Sequence, residues 1–197
     1  ETRTQAQATT PAIDPGDLHL QKVVLDNKCD DPMGLVVAPD GRVIFVERNG
    51  LLKIWKPKTR QTVVTAKLEV NYHLSGTKHA TWEDGLVGIA LDPHFNRNHW
   101  LYLFNSPTNV NENHVSRFVL NGDHLDVESE KIILRITTQR DVCCHTGGSL
   151  AFDSQENLYI STGDNTNPFE SDGYAPIDYR PGRSGWDAAR SSGNCSA

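Results

Sequence analysis

No stretch of this sequence approaches the roughly 20 consecutive apolar residues that a membrane-spanning helix requires. The longest runs, such as Gly34 to Ala38 and Gly88 to Leu91, are far shorter, so no membrane helix is expected. Positive charge is scarce as well. The chain has 19 Lys and Arg against 25 Asp and Glu, a net charge of -6. It carries no basic run that could neutralise a phosphate backbone, which argues against nucleic acid as a partner. The four cysteines, Cys29, Cys143, Cys144 and Cys195, form no CxxC pair, no Cys/His zinc pattern and no CxxCH haem motif. No metal site is expected from them. Helical periodicity is missing too, apart from a single turn around Trp186 to Arg190.

What is present reads as β structure. With 197 residues, 37% hydrophobic and 22% charged, the chain is long enough to bury a core. Short β-branched or aromatic runs are separated by turn signals such as Pro39-Asp40-Gly41, Asn49-Gly50 and Asn121-Gly122. Strands are expected over Leu20 to Leu25, Gly34 to Ala38, Val43 to Val46, Leu51 to Trp55 and Thr62 to Val70, forming one small antiparallel sheet. A second set covers Leu86 to Leu91, Trp100 to Asn105, Val115 to Leu120 and Leu125 to Ile136, and a third begins with Ser149 to Phe152 and Leu158 to Ser161.

The sets repeat one another. Gly34-Leu35-Val36-Val37-Ala38-Pro39-Asp40 returns as Gly88-Ile89-Ala90-Leu91-Asp92-Pro93 and again as Gly148-Ser149-Leu150-Ala151-Phe152-Asp153, at spacings of 54 and 60 residues. Such spacing suits four-stranded blades better than helical repeats. The fold class is therefore all-β, a partial β-propeller of about three four-stranded antiparallel blades; a β-sandwich is the alternative. Residues 1–18 read as a flexible N-terminal segment, 19–164 as the blades, and 165–197 as a long C-terminal loop of the same domain.

The polar, Thr/Gln/Ala-rich opening is what a mature end left after signal removal would look like, and predicts a secreted or periplasmic protein. In that setting four cysteines favour disulfides, with three connectivities open. Adjacent Cys143 and Cys144 are expected to close on each other, leaving Cys29 and Cys195 to pair or stay free. Asn194-Cys195-Ser196 is also a glycosylation sequon.

Two stretches carry chemistry. Cys143-Cys144-His145-Thr146-Gly147-Gly148 places a histidine at the start of a β-hairpin, and Gly163-Asp164 places an aspartate just past its far end, 19 residues from the histidine. On one rim of a propeller the two would meet. An imidazole oriented by a carboxylate is a general-base arrangement. Upstream lies Glu83-Asp84-Gly85-Leu86-Val87-Gly88-Ile89-Ala90-Leu91-Asp92-Pro93-His94-Phe95. Trp82, beside Glu83, is a candidate for binding a substrate by stacking. His73, His79, His94, His99 and His114 have no ligand spacing and read as surface or packing residues, and Asp40 and Asp92 as turn residues bonding to backbone.

These two motifs, in this order and separation, resemble those of the glucose/sorbosone dehydrogenase family of pyrroloquinoline-quinone (PQQ)-dependent sugar dehydrogenases, from about Asp31 to the C-terminus. The resemblance implies a six-bladed propeller, with PQQ and calcium as cofactors and a sugar as substrate. It implies that His145 takes the proton of the sugar C1 hydroxyl while hydride passes to the quinone, with Asp164 orienting the base. Glu83 falls where the family commonly has a glutamine that meets the cofactor; a carboxylate there alters the contact with an anionic quinone. The cationic clamp and the calcium site of the family belong to later blades. The alternative is a non-catalytic extracellular module for assembly or glycan binding. About three blades leave an open edge, so a homo-oligomer or a covering partner is expected.

Overall fold

The computed structural model describes residues 21–72, 83–138, 140 and 145–163. Within them the chain is a partial β-propeller of three antiparallel sheets. The first is a meander of β1 (Pro32–Val37), β2 (Val43–Glu47), β3 (Leu51–Lys56) and β4 (Gln61–Lys67). The second runs β5 (Leu86–Leu91), β6 (Trp100–Asn105), β7 (Glu112–Asn121) and β8 (His124–Thr137), and the third pairs β9 (Gly147–Phe152) with β10 (Leu158–Thr162).

The turn chemistry follows the residues. Asp40 Oδ1 accepts the Arg42 N–H at 3.1 Å and Asp92 Oδ1 accepts the His94 N–H at 2.9 Å, so both aspartates cap their own turns as expected. Between β5 and β6 the chain makes one helical turn, α1 (Phe95–Asn98), which no periodicity announced. It is too short for a repeat of apolar positions. The strand expected over Leu20 to Leu25 does not form over 21–25: no sheet edge among the described residues pairs with it. The third sheet has two strands rather than four among the described residues. The Trp186 to Arg190 turn, the 1–18 segment and the 165–197 loop lie outside them.

The inner strands of the middle sheet are buried on both faces, while its edge strand β8 is largely exposed. In β6, Leu101 and Leu103 point to the first sheet and join Ile44, Val46, Leu52 and Ile54. Tyr102 and Phe104 point the other way, to Leu150, Phe152 and Ile160 of the third sheet. Strict alternation gives this in β6. In β5 it does not: Leu86 and Ile89 both face the first sheet, while Val87 and Ala90 face the third. The register shift between Leu86 and Gly88 resolves the parity, because one extra residue in a strand exchanges its faces.

The repeated glycines lie where inner strands meet. A Cβ on Gly88 would run into the Gly148 carbonyl and press on Phe104 Cβ at 3.0 Å, while one on Gly148 would meet Val87 Cγ2 and the Phe104 ring. The first sheet, in contrast, has exposed apolar edges: Leu35 and Val37 of β1 are each 63% exposed with Met33 beside them, and Val64 is exposed on β4 at the other edge.

These contacts separate two glycines. Gly88→Ala forces a methyl into backbone and is expected to cost about 3 kcal/mol. Gly122 has a φ of 61° and nothing within 4 Å of the place a methyl would occupy. The same change there is expected to cost about 1 kcal/mol, from the left-handed backbone alone. Urea denaturation of both variants checks the difference; equal losses would contradict the close approach of β5 and β9.

Candidate functional site

His145 opens the third sheet from a strained position. Its φ is 58°, and Gly147 and Gly148 follow at 69° and 118°. Glycine takes such angles freely, whereas a histidine held there costs of order 1 kcal/mol and needs surrounding contacts to hold it. Those contacts come from the far end of the hairpin. The Gly163 N–H donates to the Thr146 carbonyl at 3.0 Å, and a Cβ on Gly163 would strike the His145 carbonyl. The backbone just before Asp164 therefore rests against His145. Asp164 itself lies outside the described residues, as do Trp82, Cys143, Cys144 and Cys195.

Under this loop runs the segment before β5. Glu83, exposed, accepts the Thr146 N–H on Oε2 at 3.0 Å. Asp84 is 4% exposed and Thr146 2%. The Thr146 hydroxyl donates to Asp84 Oδ1 at 2.9 Å, while Asp84 Oδ2 accepts from Asn71 Nδ2 at 2.8 Å and Arg140 Nε at 3.1 Å. Arg140 gives three further bonds to the carbonyls of Pro107 at 2.7 Å, Glu112 at 2.8 Å and Val110. Burial lowers the Arg140 pKa from its ordinary value, and the Asp84 carboxylate opposes that shift.

Sequence reasoning singled out Glu83 and His145 and missed Asp84, Arg140 and Asn71. Its one available signal for the first was a second carboxylate directly beside Glu83. Nothing in spacing links residues 84 and 140. The histidines set aside have packing or surface roles where they are described. His114 is buried with Nε2 2.8 Å from Glu112 Oε2 and 3.0 Å from Arg135. His99 packs edge-on against Phe95, and His94 Nε2 lies 3.1 Å from Glu156 Oε1. Cys29 is an exposed free thiol whose pKa is raised, first by partial burial and then by Asp26 and Glu47.

The described residues fit the quinone only in part. They supply a histidine-bearing loop and a polar floor, but the two arginines that reach the Asp84 segment are committed. Arg140 is bound as above; Arg48 pairs with Asp31 at 2.6 Å, stacks on Tyr72 and contacts the Asp84 carbonyl. A ligand with three carboxylates needs cationic donors to hold it. Those donors are not supplied by Arg140 or Arg48, and Glu83 presents a carboxyl group instead. Among the described residues no group of three or more His, Cys, Asp or Glu side chains is arranged to hold a metal.

Comparison with known proteins gives the architecture a family. The model of the glucose/sorbosone dehydrogenase family matches residues 29–175. An uncharacterised protein of Synechocystis is 24% identical over 171 residues, which is 85% of this chain and 41% of that protein. An oxidoreductase of Thermus thermophilus described as a glucose dehydrogenase superposes with a TM-score of 0.62 at 25% identity, over 75% of this chain and 41% of its own. The PQQ-bound aldose sugar dehydrogenase of Streptomyces coelicolor superposes with a TM-score of 0.57 at 24% identity, over 74% and 42% respectively. The chain spans less than half the length of these relatives.

The buried ion pair has a direct stability test. Arg140→Met is expected to lose about 3–5 kcal/mol, because it leaves the Asp84 carboxylate buried without its cation. Thermal or urea unfolding measures it; a loss under about 1 kcal/mol would show that Asp84 does not depend on Arg140.

Proposed function

Since the chain belongs to the glucose/sorbosone dehydrogenase family, we propose that it forms the base-bearing part of a PQQ-dependent sugar dehydrogenase that oxidises an aldose at C1. The observation that carries this reading is His145, half-exposed at the mouth of the β9–β10 hairpin with the backbone before Asp164 packed against it. In the reading, the neutral imidazole takes the C1 hydroxyl proton as the C1 hydrogen departs with its electron pair, giving a lactone and an imidazolium. PQQ, when bound, supplies the two-electron acceptor. The role of Asp164 is to fix the imidazole tautomer and favour its charged form. Trp82 offers a stacking surface for the sugar ring, and Glu83 stands at the rim through its bond to Thr146.

The cationic clamp and calcium then come from outside the described residues. The open apolar side of β1, with Met33, Leu35 and Val37 exposed, supports a second element of the proposal: another copy or a partner covers it. The same exposed face favours a rival reading, a non-catalytic secreted module for assembly or glycan binding. Titration with PQQ and calcium, followed by absorbance, separates the two readings: saturable binding supports the dehydrogenase, and none supports the module.

With PQQ, calcium and an electron-accepting dye supplied, His145→Ala in the full-length protein is expected to lower aldose turnover by about 10²- to 10⁴-fold. Asp164→Asn should act in the same direction but less, because the imidazole remains. Unchanged turnover in His145→Ala would overturn the assignment of the base.

A further inference from the structure

We propose that Asp84 is a positioning residue for His145: one buried carboxylate staples both ends of the β8–β9 connection and so sets the position from which the histidine is presented. The inference rests on the reading of His145 as the base. On the entering side, Arg140 Nε reaches Asp84 Oδ2 at 3.1 Å; on the leaving side, the Thr146 hydroxyl reaches Asp84 Oδ1 at 2.9 Å. Arg140 and Thr146 are thus both bonded to the same side chain.

Each partner is anchored beyond the pair. Arg140 is tied to the carbonyls of Pro107, Val110 and Glu112, which belong to the β6–β7 connection and the start of β7. Asn71 Nδ2 donates to Asp84 from the segment after the first sheet. Thr146 has its N–H on Glu83, its hydroxyl on Asp84 and its carbonyl on Gly163. No polar group of Thr146 is left to move, and it is the residue bonded directly to His145. A left-handed histidine next to it is what such over-determination can sustain.

A stability role alone does not account for the arrangement. Buried ion pairs generally add little to stability over apolar replacements of similar volume, whereas a pair that closes a loop around a base contributes through geometry. A displacement of about 1 Å at a reacting group is enough to cost up to about 10²-fold in rate.

The test uses the full-length protein with PQQ, calcium, an electron-accepting dye and D-glucose as probe, and the variants Thr146→Val, Thr146→Ser and Asp84→Asn. Thr146→Val removes the hydroxyl at nearly constant shape. It is expected to lower kcat by about tenfold with KM within about twofold, to speed amide exchange at residues 145–147, and to shift the His145 imidazole NMR signals. Thr146→Ser, which keeps the hydroxyl, should return all three to near wild type. Asp84→Asn should follow Thr146→Val, since it removes the charge that holds Arg140. Faster exchange in Thr146→Val with wild-type kcat would overturn the positioning role, as would unchanged exchange and imidazole signals. If the wild-type protein oxidises no aldose, the proposed function fails on its own, and exchange and imidazole signals still decide whether the staple holds His145.

Discussion

The structure depends on how closely two strands approach. Where β5 passes β9, Gly88 and Gly148 meet backbone to backbone, and neither position has room for a side chain. That approach brings the third sheet against the second and sets Leu150 among Val87, Phe104 and Val115. The His145 loop begins three residues before Gly148, so the distance between sheets also sets the distance from the histidine to the Glu83-Asp84 segment. Packing and chemistry share one constraint here. A propeller blade is held by its neighbours more than by its own hydrogen bonds, and a site built at the junction of two blades inherits its precision from that packing.

Much of the fold was legible because its signals are local. Pro39-Asp40-Gly41 and Asn121-Gly122 announce their turns through the chemistry of Asp, Asn and Gly. The apolar and aromatic run of Trp100 to Asn105 reads as a strand, and the structure packs both of its faces. The recurrence of Gly34 and Gly88 before apolar runs, with a third glycine at 148, pointed to stacked sheets of one kind. Leu20 to Leu25 misled for an equally physical reason. An apolar run predicts a strand only where a partner edge exists, and 21–25 has none among the described residues. The turn Phe95–Asn98 is held by backbone and Asx bonds around Asp92, not by a periodic apolar face.

The site divides along the same line. His145 and Glu83 stood out by residue type and motif, and the structure joins them through the Thr146 amide. Asp84 and Arg140 did not stand out. Their relation is made by tertiary packing that brings residue 84 under the end of β8, and a lone charged residue looks the same in sequence whether it is solvated or buried. The stretch between Arg140 and His145 contains the adjacent cysteines, so the connection joins the most chemically distinctive residues of the chain to the pair that sequence alone could not connect.

The shift of phase in β5 makes chain length along this strand a structural constraint. Leu86 shares a face with Ile89, and Val87 with Ala90, only because one extra residue is accommodated between Leu86 and Gly88. Losing or gaining a single residue there would turn both apolar sets to the wrong neighbours and carry Asp84 away from Thr146. Length is therefore constrained by physics along this strand even where identity drifts. A surface turn such as that at Gly122 has open space around it, whereas the count of residues from Asp84 to Leu91 fixes which sheet each side chain meets.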